Sequence, residues 1–179
     1  MNRTPAGAKA TLIGFVAILL WGMLALLTSW CPSVPPLQLT AMTFLIAFLA
    51  SVVFFVRSGH DFRIFKQPVG VWLNGIFGLF GYHALYFMAL KNAPVMEASL
   101  INYLWPVLIV LFSAFLPDEK LRWHHLAGVA LGFAGVALLL VRDGGFHPDA
   151  RYTGGYLLAL ACAVIWALYS VVSRRHRQA

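Results

Sequence analysis

Charge is what this sequence has least of. Only 11% of its 179 residues are Asp, Glu, Lys or Arg, against about 25% in a soluble globular chain. Acid is scarcer still, with six Asp and Glu in all. A metal-dependent membrane enzyme needs several clustered His, Asp or Glu ligands. Here His124-His125 is a lone pair, and His60, Asp61 and His147 stand apart in loops. No nucleophile sits at a fixed spacing from a base, and there is no glycine-rich phosphate loop. The sequence therefore predicts neither an enzyme nor a metal or other cofactor. Cysteine is short too. Cys31 closes the first apolar segment and Cys162 lies in the middle of the last, at different depths, so no disulfide is expected and both read as packing residues.

What the chain does have is apolar surface, at 61% of residues. A water-soluble fold of this length cannot hide so much, because a domain of about 150 residues still exposes roughly a third of its chain surface. Hydrocarbon tolerates it. A spanning helix needs about 20 mostly apolar residues, since the bilayer core is about 30 Å thick. Six stretches qualify: Thr11–Trp30, Leu37–Val56, Val69–Leu90, Val95–Leu116, Trp123–Val141 and Gly154–Ser173. The breakers fall between them, at Pro32, Pro35, Pro36, Gly59, Pro68, Asn92, Pro94, Pro117, Gly144, Gly145 and Pro148. The first span is too long for the core of a signal peptide and contains Trp21. Trp30 is too large for a lipoprotein cleavage site before Cys31, so the span is expected to be retained. The predicted fold is an all-α integral membrane protein with six transmembrane helices.

The net charge of +7 lies in short runs between the apolar segments rather than on one face, which predicts membrane topology and not a nucleic-acid partner. One set of loops and ends holds Arg3, Lys9, Arg57, Arg63, Lys66, Lys120, Arg122, Arg174, Arg175 and Arg177, ten of the thirteen basic residues. The alternate set holds Lys91, Arg142 and Arg151. Cytoplasmic loops carry the Lys/Arg excess, so both termini are expected in the cytoplasm.

The first and last spans share a pattern. Ile18-Leu19-Leu20-Trp21 and Ala163-Val164-Ile165-Trp166 each stand at mid-span and each precede a small residue, Gly22 or Ala167. Five spans separate the two starts, so a second copy would enter the membrane inverted, as in many secondary transporters. Further motifs stand in order along the chain: Trp21-Gly22, the run from Ala84 through Tyr86, Lys91 and Asn92 to Pro94, and Ala98-Ser99-Leu100-Ile101 followed by Pro106. Glu119 after the fourth span, Gly128, Gly132 and Gly135, and the run Ala159–Ser170 continue them. On these residues the chain resembles the drug/metabolite transporter superfamily with EamA-type repeats. Lys9–Gly14 and Asn102-Tyr103-Leu104-Trp105-Pro106 are similar to the aromatic-amino-acid exporter branch.

That resemblance implies ten helices in two inverted five-helix repeats around a central cavity. Residues 1–145 would be the first EamA-type repeat, and 146–179 a loop and the first helix of a second, incomplete one. It implies an inner-membrane exporter of Phe, Tyr and Trp by alternating access. The sequence departs from the family in length and at Thr43-Phe44, where many relatives carry Arg-Phe. The alternatives are a non-transporting fragment, a half-transporter that needs a partner chain, or an exporter of other small metabolites.

Polar groups inside hydrocarbon are costly unless paired or facing water, which makes them site candidates. The third span offers Tyr82, His83 and Tyr86, spaced to share a helical face. The fourth offers Asn102, Tyr103 and Trp105 just before Pro106, which bends the helix. With Trp21 and Trp166 they form the expected substrate-binding set for an amino acid: rings for its side chain, and amide, phenol and imidazole groups for its ends. Interhelical packing is the other reading of each. His83 is read either as a proton carrier or as a neutral hydrogen-bonded imidazole. Trp30, Trp72, Trp123 and Tyr152 read as interfacial belt residues, and Glu97 as a solvated helix-start acid. Gly128 and Gly132, four apart on the fifth span, allow close packing within the bundle or self-association there. Gly75, Gly78 and Gly81 on the third span read the same way.

Overall fold

A computed structural model describes the backbone of residues 5–59, 61–114, 123–142 and 149–178. Arg3, His60, Pro117, Asp118, Glu119, Lys120, Arg122, Gly144, Gly145, His147 and Pro148 lie outside the described residues. Among those described there is no strand. Five stretches are long and apolar enough to cross a bilayer: Ala10–Ser29, Pro36–Arg57, Val69–Asn92, Val95–Ser113 and Ala150–Arg174. The expected fifth span is present as a 20-residue helix, Trp123–Arg142, about 30 Å long at 1.5 Å per residue.

The chain divides into two compact units, Met1–Ser33 and Val34–Ala179. In the first, α1 (Pro5–Gly22) and α2 (Leu24–Ser29) are joined at Met23. In the second, α3 is Pro36–Arg57. Proline at its first position presets the backbone and gives up an N–H that would have no partner there. Its apolar side chains do not turn inward, since Leu45, Ile46, Phe48, Leu49, Phe54 and Val56 are exposed. A helix facing water would put polar residues on that side; this one suits acyl chains. Its few hydroxyls are satisfied within the helix. Thr40, Thr43 and Ser51 donate to the carbonyls of Pro36, Leu39 and Ala47 at 2.7–2.9 Å.

The third and fourth spans are both interrupted. The third runs as α4 (Val69–Gly75), a π-helical stretch over Ile76–Gly81, and α5 (Tyr82–Asn92). The sequence predicted a plain helix here. The fourth runs as α6 (Val95–Asn102), a turn at Tyr103-Leu104, and α7 (Trp105–Ser113). Pro106 causes this break: without an N–H it cannot bond the Asn102 carbonyl four residues back. The turn closes instead through Tyr103 N–H to Ser99 O at 2.9 Å and Leu104 N–H to Ile101 O at 3.1 Å. Then come α8 (Trp123–Arg142) and α9 (Thr153–Gln178). Asp61 and Asp149 each accept the backbone N–H of the residue two places on, Arg63 or Arg151, and so start the short 3₁₀ turns at 62–65 and 150–152.

The packing centre is α9. It lies against α5, α6 and α7, and its contacts with the third span run antiparallel along the whole length. Near one end, Asn74 Nδ2 donates to Ser173 Oγ at 2.9 Å. Next, Gly78 lies under Tyr169, whose ring and Cβ would stand 2.2–2.7 Å from any added Cβ. At the middle, the Cys162 thiol donates to the Tyr82 carbonyl at 3.6 Å. At the far end, Gly155 meets Ala93 and the Asn92 backbone at 2.6 Å from where a Cβ would be. Small residues complete the seam: Ala159, Cys162, Ala163 and Ala167 are fully buried. Close backbone approach is how helices associate in lipid, where apolar burial gives no drive. Gly75, Gly81 and Gly128 face open space, and Gly132 has only Val107 at 3.9 Å. Of the glycines read as packing residues, then, Gly78 is the one closed off by a neighbour.

Substitutions along this seam should separate two glycine classes. Gly155→Val and Gly78→Ala force α9 away from the third span and should cost about 1–3 kcal/mol. Their apparent melting temperature in detergent should fall. Gly128→Ala should leave it unchanged or slightly raised. Equal behaviour of all three would contradict the packing described.

Candidate functional site

At the midpoint of the seam a polar cluster is enclosed by aromatic rings. Tyr82, the first residue of α5, is 2% exposed, and Asn102, the last of α6, is 3% exposed. Asn102 Nδ2 donates to the Tyr82 hydroxyl at 3.0 Å. Both sit where a span is interrupted. The π stretch ends immediately before Tyr82, and the Pro106 break begins immediately after Asn102. The Tyr86 ring stacks on Tyr82 at 5.7 Å and 13°, and its hydroxyl lies 3.4 Å from Ser99 Oγ. Trp166 of α9 tilts over Tyr82 at 4.9 Å, and Trp105 meets Trp166 edge-on at 6.5 Å. Tyr82, Tyr86, Asn102, Trp105 and Trp166 are thus brought together from four helices. Among the described residues Asn102 Oδ1 is buried without a hydrogen-bond partner, which is uncommon and calls for a reason.

The other three expected residues are placed differently. His83 is one residue on from Tyr82 and so about 100° further round the helix. It turns towards α3, where Phe44 meets its ring edge-on at 5.6 Å. His83 Nδ1 lies 2.7 Å from the Leu79 carbonyl. A carbonyl only accepts, so Nδ1 carries the proton in that bond. Phe44 is half of the pair where the sequence departs from many relatives. The other half, Thr43, donates its hydroxyl to Leu39 O on its own helix. Tyr103 is 53% exposed. The turn swings it away from Asn102 into a groove of about 440 Å³ between α7 and α8, shared with Val107, His124, His125, Gly128 and Gly132. Trp21 stands in the N-terminal unit, in the last turn of α1.

One polar contact was not foreseen. Glu97, expected to be solvated, is half-buried, and its Oε2 accepts the hydroxyl of Tyr156 on α9. The sequence signal was available, since an acid in the first turn of one span and a Tyr near the start of another fall at the same end of the bundle. Among the described residues, no three His, Cys, Asp or Glu side chains gather as a metal site.

Comparison with known proteins agrees with this architecture. Residues 8–141 match the EamA-like transporter family. The chain is 56% identical over 169 residues to the aromatic amino acid exporter YddG of Ancylobacter novellus, covering 94% of this chain and 59% of that protein. It is 31% identical over 179 residues to the aromatic amino acid exporter YddG of Escherichia coli K12, covering 94% of this chain and 60% of that one. A crystal structure 54% identical in sequence superposes with a TM-score of 0.77, over 96% of this chain and 60% of that one. The chain therefore spans about three-fifths of the length of the curated relatives it matches. A family match over most of the spans, and a relative more than half identical along nearly the whole chain, place this protein in the EamA-like transporter family.

Proposed function

We propose that the protein exports amino acids across the inner membrane, with Phe, Tyr and Trp as its cargo, by alternating access of two inverted repeats. Residues 1–145 form the first repeat in this reading, and 146–179 supply a loop and the first helix of the second. The observation that carries it is the buried Tyr82–Asn102 hydrogen bond, walled by Tyr86, Trp105 and Trp166, midway along the seam. Aromatic walls suit a ring, and the amide and phenol suit its polar ends. Relatives named as aromatic amino acid exporters support the same cargo. Trp21 is kept as a candidate on the sequence resemblance of the first and last spans alone. His83 borders it with its Nδ1 proton engaged by the Leu79 carbonyl. Tyr103 is assigned to the neighbouring groove rather than to the ring cage. Self-association is assigned to the fifth span, where no atom of the described residues closes off Gly128.

The same reading puts both termini in the cytoplasm. With Cys31 changed to Ala, a cysteine at Ser33 should react with an impermeant maleimide in intact cells. A cysteine at Ser58 should react only after permeabilisation. The reverse pattern would invert the assigned topology.

Transport is tested in liposomes with this chain and with a form extended to ten helices. Phe, Tyr and Trp should move faster than Leu, Lys or a sugar by about ten-fold or more. Tyr82→Ala should lower aromatic uptake by a similar factor. Equal rates for all solutes would remove the aromatic assignment. An extended form that transports while this chain does not would favour the non-transporting-fragment reading for these 179 residues, and recovery of transport on adding a partner chain the half-transporter reading.

A further inference from the structure

Asn102 Oδ1 is enclosed by protein and has no donor among the described residues. Packing alone does not call for an amide there, because an apolar side chain of similar shape would fill the space without an unpaired acceptor. Its NH₂ end is engaged with the Tyr82 hydroxyl, which acts as acceptor in that bond. The phenol keeps a proton of its own to give. The pair therefore offers the Oδ1 acceptor and the phenol donor a few ångströms apart, beside the second N–H of the amide. Turning the amide over would make the amide the donor and the phenol oxygen the acceptor. The acid balance adds a second constraint. In the third, fourth and sixth spans the one carboxylate is Glu97, at the end of the bundle and engaged with Tyr156. A cationic guest at Asn102 would have no counter-charge beside it, and an anionic guest would find no Lys or Arg at that depth. A guest with both charges on one carbon needs neither.

We propose that the Tyr82–Asn102 pair is the subsite for the zwitterionic end of the cargo, Asn102 accepting from its ammonium and Tyr82 donating to its carboxylate. This rests on the amino-acid exporter reading and narrows it: amines and carboxylic acids with the same ring are excluded as cargo. The aromatic side chain lies against Trp166 and Tyr86, which already stack around the pair. The pair is closed to solvent in this conformation. The π stretch before Tyr82 and the break after Asn102 are where the spans can bend to admit a guest. A charge-assisted hydrogen bond in a dry site is strong, so the unpaired acceptor favours binding of an ammonium.

The test is equilibrium binding to the detergent-purified protein, with phenylalanine, 3-phenylpropionate (no ammonium) and phenethylamine (no carboxylate) as probes. Wild type should bind phenylalanine about ten-fold or more tightly than either analogue. Asn102→Leu should bring phenylalanine down to the level of 3-phenylpropionate while leaving the latter within about two-fold of its wild-type value. Tyr82→Phe should bring phenylalanine towards phenethylamine. Where Asn102→Leu does not fold, Asn102→Ser and the wild-type comparison decide. Wild type binding all three equally, or Asn102→Leu keeping its preference for phenylalanine over 3-phenylpropionate, overturns the subsite. Absence of binding by Phe, Tyr and Trp alike overturns the exporter reading itself.

Discussion

The antiparallel seam between α9 and the third span is the contact on which the Val34–Ala179 unit depends. In hydrocarbon, helices gain nothing by hiding apolar side chains from one another, so they are held by close approach and by polar bonds. The seam has both. Gly78 under Tyr169 and Gly155 against Asn92 bring backbones together, and Asn74–Ser173 and Cys162–Tyr82 tie them by hydrogen bonds. The small residues Ala159, Ala163 and Ala167 keep α9 near along the whole run. This is why large rings collect at its midpoint: Trp166 is carried in between Tyr82 and Trp105 by the helix that the small residues seat.

A solvent without hydrogen-bonding partners made the span pattern readable. Backbone groups in lipid must bond within the segment, so each crossing shows as a long apolar run with breakers at its ends. The expected spans and the helices agree to within a few residues, as at Leu37–Val56 against Pro36–Arg57. The break after Asn102 was readable because Pro106 lacks an N–H. The π stretch at Ile76–Gly81 was not. Three spaced glycines mark a flexible, narrow helix without saying how its hydrogen bonds will shift, and it is the approach of Tyr169 that engages Gly78. The site was readable as a set of residue types and less so as a geometry. Tyr82, Tyr86, Asn102, Trp105 and Trp166 meet. His83 follows its own phase of the helix towards Phe44, and Tyr103 is turned out by the very break that Pro106 creates.

Among the described residues, several polar groups of the bundle are satisfied locally. Hydroxyls of α3 bond back to their own helix, Asp61 and Asp149 start short turns, and Glu97 accepts Tyr156 at one end of the seam. What remains is the mid-depth pair, half satisfied, at the junction of two interrupted spans. An uninterrupted bundle would be better packed and could not open there. Interruptions flanking a polar pair are the arrangement expected where a membrane protein must admit a solute and close again. Membership of a transporter family fits that physical reading.

The account stands on Trp166 facing inward across the seam rather than outward to lipid. Its most direct test is fluorescence quenching by lipids brominated at mid-chain, using the protein with Trp166 as its sole tryptophan. A second variant carries its sole tryptophan at Phe77, which is 69% exposed on the third span. The account predicts weak quenching at position 166 and strong quenching at position 77. Equal quenching at the two positions would contradict it.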